Sequence, residues 1–254
     1  MARQEPAGTG TGTGTGTGPG TDAPTLWFKP PEDRQSARRP LTRERVAAEA
    51  LAVIAADGAQ SLSMRALATR LGVVPGALYR HVNGKEQLYD LILDAVLREV
   101  DCRTDPAAPW TEQVAALAGR LRAVLEGHPG VAALLKTRDP LTPTSLTLAE
   151  AFLAPLHAAG LPGREAALAF RLIYDYILGF ALADPTSPAE QRLHDDATRE
   201  QLHDFFRALP TSRFPNLAAY GIHAWGCDRD QRFAAGLETV LRGLQAQQRP
   251  PHDS

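Results

Sequence analysis

From Leu41 onward, apolar residues recur every three or four positions, and proline or glycine cuts each run before it grows long. No stretch alternates apolar and polar residues for long enough to make a half-buried strand. Stripes of this period reach a core only when helix packs on helix, so the pattern predicts an all-α fold. Thr42 caps a first helix with Val46, Ala47, Ala50, Leu51 and Ile54 on one face and Gly58 just past its end. Ser63 caps a short second helix carrying Met64, Leu67, Ala68 and Leu71, which stops at Gly72. Pro75 suits the first turn of a third helix whose inner residues are Leu78 and Val82. Asn83 and Glu86 have the spacing of a reciprocal cap, opening a fourth helix with Leu88, Leu91, Ile92, Ala95, Val96 and Val100 inward. Past the linker from Pro106 to Pro109, helices are predicted over 111–126, 129–137, 143–159, 163–182, 188–208 and 229–247. Loops are expected around Pro140, Pro162, Pro185 and from Pro210 to Pro215.

The 254 residues suffice for one large or two small domains. Residues 1–39, nearly pure Thr-Gly from Gly8 to Thr21 and then proline-rich, have no apolar period to repay ordering and read as a tail. Within it, Trp27 and Phe28 are either an exposed pair or a clip onto the body or a partner. The layout expected is therefore a tail at 1–39, a small helical domain at 40–101 and a larger one at 110–248. No apolar run is long enough for a membrane span, and the N-terminus lacks an apolar signal core. Cys102 and Cys227 are too few and too far apart for a disulfide framework or a cysteine metal site, so a reducing cytoplasm is expected. The net charge of −2 conceals a split. Residues 29–85 hold ten Lys/Arg against five Asp/Glu, while 86–254 hold sixteen against twenty-two. A positive head on a negative body suits a partner that is a polyanion.

Residues 62–82, LSMRALATRLGVVPGALYRHV, join two short helices through a glycine turn, which is the helix-turn-helix pattern. In that motif the first helix braces on the DNA backbone and the second enters the major groove, where each base pair shows a distinct donor and acceptor pattern. With Leu78 and Val82 committed to packing, Pro75, Gly76, Ala77, Tyr79, Arg80 and His81 are left for the outside. Such hairpins also occur in proteins that never meet DNA. Arg34, Arg38, Arg39 and Arg43 precede or open the first helix, as an arm reaching phosphate or minor groove, or as a solvated linker.

Over residues 41–100 the sequence resembles the N-terminal domain of the tetracycline-repressor (TetR) family of transcriptional regulators. The matching pieces are Ser63-Met64-Arg65-Ala66-Leu67-Ala68, Leu71-Gly72-Val73, Ala77-Leu78-Tyr79-Arg80-His81-Val82 and Lys85-Glu86. Leu178-Gly179, Phe214-Pro215-Asn216-Leu217 and Arg232-Phe233 through Leu244 resemble, more loosely, the ligand-binding and dimerisation domain of the Tet-repressor branch. The resemblance implies a homodimer joined through two long C-terminal helices per subunit, a palindromic DNA operator and a small-molecule effector. It implies DNA-contacting roles for Thr42, Arg43, Ser63, Arg65, Pro75, Gly76, Ala77, Tyr79, Arg80, His81 and Lys85. Since positions 75–77 offer no amide or hydroxyl to a base edge, direct readout is expected to fall on Arg65 and Arg80, with Pro75 and Ala77 against thymine methyls.

In the effector domain the resemblance points to Leu134, Thr137, Arg138, Asp175 and Leu178, and the residues of the helices add Tyr174, Phe152 and Leu156 as candidate walls. Leu134 and Asp175 stand where the tetracycline branch has metal-coordinating histidines, so a metal-chelated drug is not the expected ligand. A mostly apolar effector with Tyr174 and Asp175 as polar anchors is one reading of these residues; bundle core with an Arg171–Asp175 surface pair is the other. Asp196, Glu200 and His203 share a helix face, but a carboxylate-histidine metal site needs further ligands that are missing, and His194 points away from His203; a solvated polar face is expected. Neither a metal nor a cofactor is expected. No nucleophile-base pairing or phosphate loop favours an enzyme. The rival is a non-specific architectural DNA-binding protein, which would ignore both operator and ligand.

Overall fold

The computed structural model describes residues 40–138, 140–183 and 195–247, and among these it holds eleven helices and no strand. Trp27, Phe28, the arginines at 34, 38 and 39, Pro185, His194 and the 188–194 start of one predicted helix lie outside the described residues. In chain order the helices are α1 (Arg43–Asp57), α2 (Met64–Leu71), α3 (Pro75–Leu78), α4 (Lys85–Leu97), α5 (Trp110–Gly127) and α6 (Val131–Thr137). They continue as α7 (Pro143–Ala158), α8 (Gly163–Leu182), α9 (Asp196–Arg207), α10 (Pro215–Trp225) and α11 (Arg229–Gln247). From Leu41 onward the described residues form one compact unit.

One hydrophobic core runs through it. Val46, Leu67, Leu78, Val82 and Leu88 close the first four helices, and Leu117, Leu121, Phe152, Leu156 and Ile177 fill the space where α5, α7 and α8 pack together. Helix α4 belongs to both groups. Leu88 and Ile92 are fully buried, and its remaining sides contact α1, α5, α6 and α7.

Several elements depart from expectation. The third helix was expected to reach Val82, but α3 ends at Leu78 and tightens into turns, with His81 N–H donating to Leu78 C=O at 2.8 Å. Val82 still reaches the core. The reciprocal cap between Asn83 and Glu86 does not form. Gly84, at φ 144°, takes the cap position, and the Gln87 side chain reaches back instead to accept from Asn83 N–H at 2.6 Å. The fourth helix stops at Leu97, leaving Val100 buried beyond its end; Leu91 and Ala95 are only half-buried. Asp195 caps α9 by accepting from Thr198 N–H at 2.9 Å.

Helix α10 was not expected at all. It opens on Pro215 without a side-chain cap and has Gly221 at its centre, features that read as a loop in sequence. Its partner is the neighbouring α9: a Cβ on Gly221 would come within 2.2 Å of the Phe206 ring, and Phe206 meets Trp225 at 5.4 Å between ring centroids. Tertiary contact, not local preference, makes this helix.

Among the described residues helix α11 is fastened to the body at three places, the first being Arg229, 7% exposed, which donates to Phe180 C=O and pairs with Glu126 at 3.3 Å. Arg122, only 8% exposed, pairs with Glu126 at 2.7 Å and with Asp230, and its guanidinium lies 4.5 Å from the Phe233 ring centroid. Burial lowers the Arg122 pKa, but the two carboxylates outweigh it and hold the group above its ordinary value. One turn of chain further, the Tyr176 hydroxyl donates to the Phe233 carbonyl at 2.9 Å, an approach that only a glycine at 236 permits.

Candidate nucleic-acid interface

The positive head is built around α2, its turn and α3. Thr42 accepts from Arg45 N–H at 3.2 Å and Ser63 from Ala66 N–H at 3.1 Å, so both hydroxyls hold helix starts while remaining at the surface. Each such cap is worth about 1 kcal/mol. The turn after α2 is a Schellman motif: Gly72 sits at φ 66°, its N–H donates to Thr69 C=O at 3.1 Å, and Val73 N–H donates to Ala68 C=O at 3.0 Å. Arg70 pairs with Glu49 at 2.6 Å, tying α2 to α1.

Arg43, Arg65, Pro75, Gly76, Tyr79, Arg80 and Lys85 are exposed, whereas Ala77 and His81 are half-buried. Tyr79 is 52% exposed although aromatic. Neither Arg65 nor Arg80 pairs with a carboxylate among the described residues. Sequence reasoning passed over Val74, which ends the turn and is 72% exposed. Its signal was there: Leu71 and Leu78 already fill the core on either side, so an apolar residue between them has no inward place.

The residues assigned to an effector fall into two sets. Leu134, Phe152, Leu156, Tyr174 and Leu178 are buried, and Phe170 joins Phe152 to Tyr174 with ring centroids 5.8 Å apart on each side. Thr137, Arg138 and Asp175 are engaged elsewhere. The Thr137 hydroxyl donates to Leu134 C=O at 3.0 Å, and exposed Asp175 pairs with Arg171 at 3.0 Å. Arg138 leaves α6 and turns to α4, where it pairs with Glu86, lies 3.9 Å from Asp90 and stands 4.8 Å over the Tyr89 ring. The same ring carries Lys85 Nζ at 5.4 Å, and its hydroxyl donates to Ala59 C=O at 3.3 Å. Asp196 and Glu200 are exposed, His203 is half-buried, and Asp196 pairs with Arg199 at 3.2 Å.

Helix α4 carries further polar links to the larger helical group. His128 meets both oxygens of Glu99 at 3.0 Å. Asp94 pairs with Arg98 beside the start of α7; burial pushes its carboxyl up, but Thr144, Thr142 and Arg98 outweigh that and leave it below its ordinary value. Glu86, Asp90 and Asp94 on α4, with Glu99 just past its end, thus face Arg138 after α6, the start of α7 and His128 after α5.

Comparison with known proteins agrees with this layout. Residues 47–92 match the bacterial regulatory proteins of the tetR family, and residues 104–248 match the tetracyclin repressor-like C-terminal domain. The chain is 34% identical over 223 residues to an HTH-type transcriptional regulator of Saccharopolyspora erythraea, covering 87% of this chain and 91% of the relative. It is 32% identical to the HTH-type transcriptional repressor DrrR1 of Streptomyces coeruleorubidus, covering 87% and 83% respectively. Among solved structures, the TetR family protein ActR of Streptomyces coelicolor in complex with (S)-DNPA matches with a TM-score of 0.68 at 32% identity, over 83% of this chain and all of that one. The same protein in complex with actinorhodin matches with a TM-score of 0.70 at 32% identity, over 82% and 98%. This chain belongs to the TetR family of bacterial transcriptional regulators.

Proposed function

We propose that the protein is a cytoplasmic, homodimeric repressor that grips a palindromic operator and releases it when a small, largely apolar effector occupies the C-terminal helices. Residues 40–101 are the DNA reader and 110–248 the effector and dimerisation domain. The observation that carries this reading is the pair Arg65 and Arg80, exposed beside α3 with no carboxylate among the described residues to neutralise them. Arginine at such a place reads guanine edges or grips phosphate. Thr42, Arg43, Ser63, Pro75, Gly76, Ala77, Tyr79, His81 and Lys85 complete the contact surface.

Dimerisation is supported by α8, where Leu168 and Leu172 stand 55% and 51% exposed. With Gly179 and Leu182 they fall within about 80° of helix arc. Beside them α11 presents Ala235, Thr239 and Ala246, small enough for close helix approach. The two readers must lie about 34–36 Å apart to enter successive major grooves. An effector then works only by binding the wrongly spaced dimer better than the DNA-competent one. A swing from nearly full to nearly empty operator needs about 5.5 kcal/mol of such preference. The exposed ion pairs joining α4 to the larger helical group are worth under about 1 kcal/mol each, so rearranging them opposes the swing little. A small-molecule effector follows from ActR, whose structures hold (S)-DNPA and actinorhodin, and the Leu134, Phe152, Leu156, Tyr174 and Leu178 wall supports its apolar character. Thr137, Arg138 and Asp175 are then responders at its edge.

A gel shift on the DNA flanking the gene, with and without a panel of hydrophobic compounds, tests the scheme. The expected result is retardation at moderate salt that exceeds the effect on random DNA, and release by some compound of the panel. Equal binding of random DNA, or a lone subunit at micromolar concentration, overturns it.

A further inference from the structure

A groove of about 560 Å³ runs between α1 and α4 and is closed at one end by Thr142 and Pro143, where α7 begins. It lies apart from the Phe152–Tyr174 core. Its volume is in the range of small-molecule sites. The floor is apolar, made by Ala47, Leu51, Leu91 and Ala95. The walls are not neutral: of the lining side chains, Glu44, Asp90, Asp94 and Glu99 outnumber Arg43 and Arg98, and from outside the groove only Arg138, shared with Glu86, reaches Asp90 at 3.9 Å while His128 meets Glu99 at 3.0 Å. Arg98 is already committed to Asp94, and the other Asp94 oxygen is buried beside Thr142 and Thr144 with no second cation on it. A neutral or anionic guest would leave that imbalance in place, while a compact cation with apolar bulk answers both floor and wall.

We infer that this groove is a second ligand site, one that takes a lipophilic organic cation. Its walls belong to α1 and α4, which carry the reader, and to the start of α7, so a guest there wedges the reader against the body. The binding site stands on the groove alone; only its effect on DNA rests on the repressor reading.

Tetraphenylphosphonium and tetraphenylborate have closely similar shapes and opposite charge, and equilibrium dialysis of each against the full-length protein separates charge from bulk. Binding of the phosphonium at least tenfold tighter than of the borate is expected. Ala48 lines the groove and is exposed, so Ala48→Trp fills it without touching the core. That variant is expected to lose at least tenfold in phosphonium affinity, and Glu44→Gln to lose about fivefold, the effect of one charge at contact distance in water. Circular dichroism matching the parent checks that each variant folds. Equal binding of both ions, no phosphonium binding at millimolar concentration, or full retention by folded Ala48→Trp overturns the site. Retention by Ala48→Trp would leave the repressor reading intact, because the ion would then sit elsewhere. Loss of operator preference in the unliganded protein would overturn that reading without touching the groove.

Discussion

Arg65 and Arg80 have no carboxylate partner among the described residues. Arg70 is spent on Glu49, Arg122 on Glu126 and Asp230, and Arg138 on Glu86. A guanidinium left free in water next to an exposed short helix can be desolvated by a partner without first breaking an internal pair. Arg65→Ala should therefore cost about 1–3 kcal/mol of operator affinity and relax discrimination at one base pair. Competition titrations with single-base operator variants decide it; an equal loss on operator and random DNA would assign the side chain to phosphate. Asp94 makes a different prediction. Its carboxyl lies below the ordinary 3.8 in the folded state, so its stabilisation is complete above that value and is lost as pH falls through the lowered one. Asp94→Asn should lower the melting temperature at pH 7 and flatten its decline below about pH 4. A parallel decline in parent and variant would show that the carboxylate is not linked to folding.

At the level of helices, two glycines of similar sequence context behave oppositely. Gly119, in the interior of α5, has open space where a Cβ would go. Replacing it by alanine should stabilise the protein by up to about 1 kcal/mol through helix preference. Gly236 of α11 has the Tyr176 hydroxyl 2.1 Å from the same position. There the same preference is outweighed, because forcing α8 and α11 apart costs about 1–3 kcal/mol. Thermal melts should thus move up for Gly119→Ala and down by several degrees for Gly236→Ala. A rise for both would mean that Tyr176 yields without cost. The period of α5 is legible in sequence, as are Ser63, Gly72 and Pro75 at their helix ends, because those signals are local. Helix α10 is not, since what stabilises it is the Phe206 ring against Gly221.

For the molecule as a whole, the charge split now has a physical location. Acids on α4 and just past its end hold that helix to Arg138 after α6 and His128 after α5, while Arg65 of α2, Arg80 after α3 and Lys85 at the start of α4 stay exposed. Binding dominated by such cations should weaken steeply with salt. Removing residues 1–39 should make the salt slope shallower if the arginines at 34, 38 and 39 reach phosphate; an unchanged slope would leave them as a solvated linker. Sedimentation of the full chain should give twice 27.3 kDa at micromolar concentration. A single-subunit mass would remove the two-reader geometry on which operator recognition depends.

Periodicity, caps and turn glycines were enough to establish an all-α fold, place the helix-turn-helix and put Pro75, Gly76, Tyr79 and Arg80 at its surface, because each of these depends on residues within one or two turns of each other; Ala77 and His81, expected outside, are half-buried. The direction of Arg138 was not so readable: sequence put it with the effector residues, and folding points it at α4, 52 positions away from Glu86. The acid-lined groove, the unexpected α10 and the fastenings of α11 share that character. They arise where helices remote in sequence meet, and no local pattern encodes which side chain will face which neighbour across such a meeting.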